Sequence, residues 1–253
     1  MARTAKHRHA VDGGYARGEE TRARIVMAAV RMFGERGFDG ASTRDIATSA
    51  GVNAPALQYY FDNKEGVYLA CAEHIAKRVW ESMSDAVARA EQAIEANAAD
   101  ERLIELYCDI QEQLARFMFN SPEAGDWRLF IARMQAGEGP AAAFQVIYQK
   151  VNGRMSTVLS TIVGRMIGRP ADDEETLVRT MNMSGQLHAF HVARRSMMTK
   201  LNWDTVDDRR LNLLIHVVRE HTGVLLRSMT RIRNAASSVR PLHDKRPASR
   251  MRK

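Results

Sequence analysis

At 253 residues the chain exceeds what one small core needs and suits a small domain joined to a larger one. Its formal charge of +7 looks like a nucleic-acid signal, yet the excess lies at the two ends. Residues 1–18 carry four Lys/Arg against one Asp, residues 231–253 carry eight against one, and residues 19–230 carry 25 against 28 Asp/Glu. This excludes a folded body that attracts polyanions by net charge, and leaves the basic ends open to two readings, solvating or DNA-binding.

Other classes are excluded as quickly. No apolar run approaches the roughly 18 residues of a membrane span, and the opening MARTAKHRHAVDGG lacks the apolar core of a signal peptide. A soluble, cytoplasmic chain with no membrane partner is expected. Cys71 and Cys108 both fall in helical apolar patterns and read as buried free thiols. Only six prolines interrupt the chain, which favours helices.

In chain order, residues 1–18 are polar and basic and read as a disordered arm. A helix is predicted over 19–36, with Ile25, Ala29, Met32 and Phe33 on its buried stripe. Gly37 ends it and Phe38 folds back under the stripe. The next stretch, 42–65, reads STRDIATSAGVNAPALQYYFDNKE. Ser42 with Asp45 has capping-box spacing, and Ile46, Ala47 and Ala50 form one apolar face. Gly51 sits where only glycine takes a left-handed backbone without strain. Asn53 caps the next helix, and Pro55 lies in its first turn, where no amide partner is lost. Leu57, Tyr60 and Phe61 pack back, leaving Ala54, Ala56, Gln58 and Tyr59 outward. Asn63 opens a long helix with Val67, Cys71, His74, Ile75, Arg78 and Val79 along one side, running through Trp80 and Met83.

Beyond residue 100 no strand-like alternation appears. Helices are predicted over 101–120, 126–135, 141–168, 172–199 and 205–233, separated by Pro-, Gly- and Asn-rich breaks, and a disordered basic tail follows from 234. The expected fold is all-α: an N-terminal three-helix helix-turn-helix domain over 19–66 and a C-terminal helical ligand-binding and dimerisation domain over 67–233. Disordered segments at 1–18 and 234–253 flank them.

Ala28-Ala29, Phe33, Gly37, Phe38, Thr43, Ile46-Ala47, Ala50-Gly51-Val52, Leu57, Tyr60-Phe61 and Lys64-Glu65 together resemble the N-terminal domain of TetR-family transcriptional regulators. The C-terminal part resembles the ligand domain of CecR-type members through Asp126-Trp127-Arg128-Leu129-Phe130, Arg133, Pro140-Ala141 with Phe144, Gly168-Arg169-Pro170, and Gly185-Gln186 with Phe190 and Arg194. The resemblance implies that the second short helix enters the major groove of double-stranded DNA. It presents Asn53, Ala54, Pro55, Ala56, Gln58 and Tyr59 to base edges, with Thr43, Arg44, Tyr60 and Lys64 on phosphates. Gln58 is the best candidate for direct readout, since its amide can pair bidentately with adenine. Structural roles stand beside these: Tyr60 as half core, Gln58 as a solvated helix residue, Arg44 paired with Asp45 or Asp62.

The resemblance further implies a small-molecule effector, partly apolar, and a homodimer that reads a palindromic operator. Pocket walls are sought among Trp80, Met83, Phe117, Trp127, Phe130 and Phe190, with Arg133, Gln186, His188 and His191 as polar anchors. Apolar faces carrying Leu177, Met181, Leu187 and Phe190, then Leu211, Leu214, Ile215, Val218 and Leu225, are the expected dimer surface. His188 and His191 are three apart, but a third metal ligand is not evident, so no metal and no cofactor is expected. The expectation is a repressor released from its operator by the effector. Two other classes compete with this expectation. An enzyme built on Arg133, His188 or His191 finds no nucleophile–base pair, metal triad or phosphate-binding glycine loop. An architectural DNA-binding protein would depend on the basic ends alone.

Overall fold

The computed structural model describes residues 8–121 and 123–238. Among these the chain is helical, joined by short turns, with no strand. The N-terminal unit comprises α1 (Arg8–Gly40), α2 (Thr43–Ser49) and α3 (Ala54–Tyr60), followed by the long α4 (Lys64–Glu95). Then come α5 (Asp100–Asn120), α6 (Ala124–Gln135), α7 (Ala141–Ile147), a π-helical turn (Tyr148–Asn152) and α8 (Gly153–Ile167). The chain ends in α9 (Glu174–Val192), α10 (Arg194–Leu201) and α11 (Asp208–Ser238).

The caps form as their chemistry requires. Ser42, Asn53 and Asn63 each accept from the amide three residues on, at 3.1, 2.8 and 2.8 Å. Asp173 caps α9 by accepting from Glu175 and Thr176. The capping box at Ser42 is only half made, because the Asp45 carboxylate turns to Arg36 at 3.3 Å. Gly37 has φ 75° and ψ 174°, which kinks α1; Phe38 thereby stacks on Phe33 at 5.8 Å and meets Tyr68 edge-on.

Several boundaries differ from the periodicity reading. Helix α1 begins at Arg8, so the described part of the expected arm, 8–18, is helical. Once a helix is nucleated each added residue gains one hydrogen bond, so it grows back through Gly13 and Gly14 despite their poor propensity. Residues 1–7 and 239–253 lie outside the described residues; the described start of the expected tail, 234–238, continues α11. The helix expected over 141–168 is split by the π turn, and that over 172–199 breaks at Ala193, where no glycine or proline stands.

Among the described residues, three cores hold the fold together. The first joins α1, α2 and α3 to the start of α4, to α6 and to α7, around Phe33, Tyr68 and Phe130. Ring centroids there lie 4.9 Å (Phe33–Tyr68) and 4.6 Å (Tyr68–Phe130) apart. Burial of each such side chain contributes roughly 1.5–3 kcal/mol. The second lies between the far half of α4, α5 and α8, with Met183 and Leu226 closing it. The third gathers Ala115, Leu187, Met197, Leu211, Leu214, Ile215 and Val218. Five residues of the expected dimer surface, Leu187, Leu211, Leu214, Ile215 and Val218, are therefore used inside the chain. Periodicity marks an apolar face without saying which neighbour covers it. The apolar side chains left in solvent on α9 and α11 include Val178, Met181, Val192, Val224 and Ile232, with Leu177 and Leu225 at the margin.

Candidate nucleic-acid interface

Helix α3 is held from behind. Leu57 and Phe61 are buried, and the tight turn before the helix is set by Gly51 at φ 66°. What faces outward is Ala54, Pro55, Gln58 and Tyr59, with Tyr59 83% exposed. Ala56 is half-buried beside them. Asn53 is exposed, but its Oδ1 is committed to the Ala56 amide, which leaves only its NH2 to donate outward.

Thr43, Gln58 and Lys64 line one shallow cleft of about 570 Å³ where α2, α3 and α4 meet. The Lys64 ammonium lies 4.5 Å from the Phe38 ring centroid and 3.4 Å from the Asp39 carbonyl, an arrangement that fixes its position without using all three donors. Tyr60 is half-buried: its hydroxyl lies against α1 at Gly18, and its ring is edge-on to Tyr59 at 5.2 Å. Arg44 is exposed, and among the described residues it has no ion-pair partner, since Asp45 is held by Arg36. Residues 19–66 hold six Lys/Arg and seven Asp/Glu. A polyanion would therefore be met by placed groups and not by a net field.

Among the described residues, the pocket residues expected from sequence are spread over the three cores. Phe130 and Met83 are fully buried in the first and second cores, and Phe190 flanks the third. Arg133 donates to the Gly34 and Glu35 carbonyls at 2.8 and 3.2 Å and to Glu138, so it ties α6 to the end of α1. Gln186 is half-buried; His188 is exposed and contacts the Ser184 carbonyl; the His191 side chain lies outside the described residues. Helical spacing points side chains inward but cannot assign them among three cores. Phe117 and Trp127 do come together, at 5.6 Å between centroids.

His74 completes that pair, edge-on to Trp127 at 6.0 Å. It was legible in the sequence only as part of an apolar stripe; a titratable residue on such a stripe was the available signal. His74 Nε2 and Trp127 Nε1 are both buried and have no hydrogen-bond partner among the described residues, a situation that costs about 1–3 kcal/mol per group. Burial, then the Arg78 charge, pushes the His74 pKa below its ordinary value. On its other side His74 reaches a cleft of about 700 Å³ between α1, α4 and the π turn, with Arg22, Lys77, Trp80 and Lys150. Trp80 is also covered by Arg154, at 5.2 Å. Among the described residues no helix is long and apolar enough to cross a membrane, and no three His, Cys, Asp or Glu converge as metal ligands.

Known proteins agree with this architecture. The family model for bacterial regulatory proteins of the tetR family matches residues 25–71. The model for the C-terminal domain of the HTH-type transcriptional dual regulator CecR matches residues 103–229. The CecR protein of Shigella flexneri is 27% identical over 215 residues, covering 85% of this chain and 95% of that one. The HTH-type regulator YttP of Bacillus subtilis is 34% identical over 105 residues, 39% of this chain and 49% of its own. Among solved structures, a transcriptional regulator from Pseudomonas aeruginosa PAO1 superposes with TM-score 0.60 at 16% identity, over 85% of this chain and 94% of that one. AibR in complex with isovaleryl coenzyme A and operator DNA gives TM-score 0.55 at 15% identity, over 79% and 96%. At such identities the superpositions speak for the fold, while the two sequence models speak for descent. With one model on the helix-turn-helix and the other spanning the helices behind it, this chain belongs to the TetR family of bacterial transcriptional regulators, with a C-terminal domain of the CecR type.

Proposed function

We propose that the protein is a cytoplasmic, homodimeric repressor that reads a palindromic operator through α3 and leaves it when a small molecule binds the helical domain. The observation that carries this is the outward face of α3. Gln58 and Tyr59 stand in solvent on a seven-residue helix whose other side is locked by Leu57, an arrangement with no evident structural purpose. In this reading Gln58 and Tyr59 address bases, with Asn53, Ala54, Pro55 and Ala56 permitting close approach, and Thr43, Arg44, Tyr60 and Lys64 hold phosphates.

The apolar residues exposed on α9 and α11 support a two-fold partner, and two α3 helices about 34–36 Å apart match successive major grooves. The unpartnered Nε2 of His74 and Nε1 of Trp127 support an effector site beside Phe117 in the helical domain; AibR, similar in fold, was solved with an acyl coenzyme A and operator DNA together. Footprinting of the purified protein on the DNA flanking its own gene tests the reading. A protected palindrome with half-sites one helical turn apart is expected; uniform, sequence-independent protection refutes it.

A further inference from the structure

A third cleft, about 570 Å³, opens between α6, α10 and the connection from α10 to α11, and shares none of its lining residues with the cleft that His74 reaches. Its lining includes Arg128, Arg194, Arg195, Met198, Trp203 and Asp204. Most arginines of the helical domain hold a carboxylate, as Arg154 does Glu91 at 2.6 Å, Arg165 does Asp100 at 2.9 Å and Arg219 does Asp109 at 2.8 Å. Arg128, Arg194 and Arg195 have no ion-pair partner among the described residues, although Asp204 shares the cleft.

Like charge is thus gathered where the fold supplies no counter-charge. Burial and then the neighbouring Arg128 push the Arg194 pKa below its ordinary value, although it stays protonated. Arg194 is further fixed by the Phe119 ring, 5.6 Å from its guanidinium carbon. Trp203 and Met198 give the cleft an apolar wall, and Arg210 covers one face of Trp203 at 5.5 Å.

We propose that this cleft binds a small phosphate-bearing ligand. Three guanidiniums less one carboxylate leave an excess of two positive charges in the cleft. A phosphate monoester carries about −1.5 to −2 at pH 7 and three strong acceptor oxygens, which match that excess and the planar forks of arginine. A carboxylate or a phosphodiester, each with one negative charge, leaves one guanidinium uncompensated. That charge count favours a soluble phosphate ester over the DNA backbone, and the concave, partly apolar shape favours it again.

The test uses the full-length protein without DNA, titrated with inorganic pyrophosphate by calorimetry and by tryptophan fluorescence against a sodium chloride control of equal ionic strength. Saturable binding of one pyrophosphate per chain is expected, weakened at least tenfold by Arg194→Gln and by Arg128→Gln, with circular dichroism showing both variants folded. Trp203→Phe is expected to remove the fluorescence change while the calorimetric binding persists. No saturation up to about 10 mM, or equal affinity in wild type and both arginine variants, overturns the proposal. So does a result in which pyrophosphate fails to saturate while Arg194→Gln lowers the salt slope of operator binding by about 0.9, since that marks a DNA-backbone contact. The pyrophosphate titration reads the cleft whether or not the footprint succeeds.

Discussion

Replacing Gly51 isolates what the helix-turn-helix requires of its turn. Gly51 has φ 66°, and a Cβ built there meets nothing within 4 Å. Alanine therefore suffers no clash, and its cost is the left-handed backbone alone, about 1–2 kcal/mol. Part of this is offset because alanine restricts the unfolded chain, by about 0.4–1 kcal/mol. The net expectation is a loss of about 1 kcal/mol, a fall in melting temperature of roughly 2–4 °C for a chain of this size. Asparagine tolerates the left-handed region and is expected to fall between glycine and alanine, with valine, stiff at its branched Cβ, the worst. Thermal melts followed by circular dichroism give the order directly, and operator titrations of the same variants report whether α3 is still correctly aimed. An alanine variant as stable as wild type, or an asparagine variant below alanine, refutes the account of this turn.

Four further outcomes are expected. Gln58→Ala relaxes base preference at one operator position by about 1–3 kcal/mol and leaves the salt slope unchanged, measured by titrating single-base operator variants. Lys64→Ala weakens all sequences alike and lowers the salt slope by about 0.9, so identical slopes for wild type and variant would remove Lys64 from the phosphates. Arg133→Ala strips the Gly34 and Glu35 carbonyls of their donor and loosens α1 from α6; Arg133→Lys, with one compact ammonium in place of a planar fork, is not expected to restore the melting temperature. Because burial depresses the His74 pKa, the unfolded chain takes that proton first as pH falls. His74 therefore contributes stability that is present above about pH 6.5 and lost as pH drops through its lower folded value. Melts between about pH 8 and 5 are expected to show a shallower decline for His74→Phe; a profile parallel to wild type counts against the assignment.

The parts of this molecule written locally were the legible ones. Ser42, Asn53 and Asn63 cap helices through the amide three residues away, and Gly51 needs its backbone angle whatever lies around it. The exposed face of α3 followed, because a seven-residue helix anchored by Leu57 has few ways to turn. What was not legible depended on distant partners. Phe130 and Met83 are apolar at helical spacing like any pocket wall, yet one completes the Phe33–Tyr68 cluster and the other packs against α5 and α8. Arg133 resembled a ligand anchor until the α1 carbonyls appeared beside it. The growth of α1 back to Arg8 was hidden because propensity argues against Gly13-Gly14, whereas elongation from an existing helix does not need a favourable nucleus. The motif places Lys64 near phosphate, but its seat over Phe38 depends on the kink at Gly37, which periodicity does not show.

The unbroken course of α4 has a mechanical consequence. Its 32 residues, at 1.5 Å each, make a rod of about 48 Å from the base of the DNA-reading head to the Glu95 end. A tilt of about 4° displaces one end of such a rod by about 3.4 Å, the rise of a single base-pair step. In a two-fold dimer both rods tilt, so a few degrees in each changes the spacing of the heads by about two steps and puts them out of register with successive grooves. In the proposed dimer, ångström-scale repacking of Met83, Ala86, Val87 and Ala90, where the far half of α4 beds against α5 and α8, would tilt that rod and so bear on the spacing of the two heads.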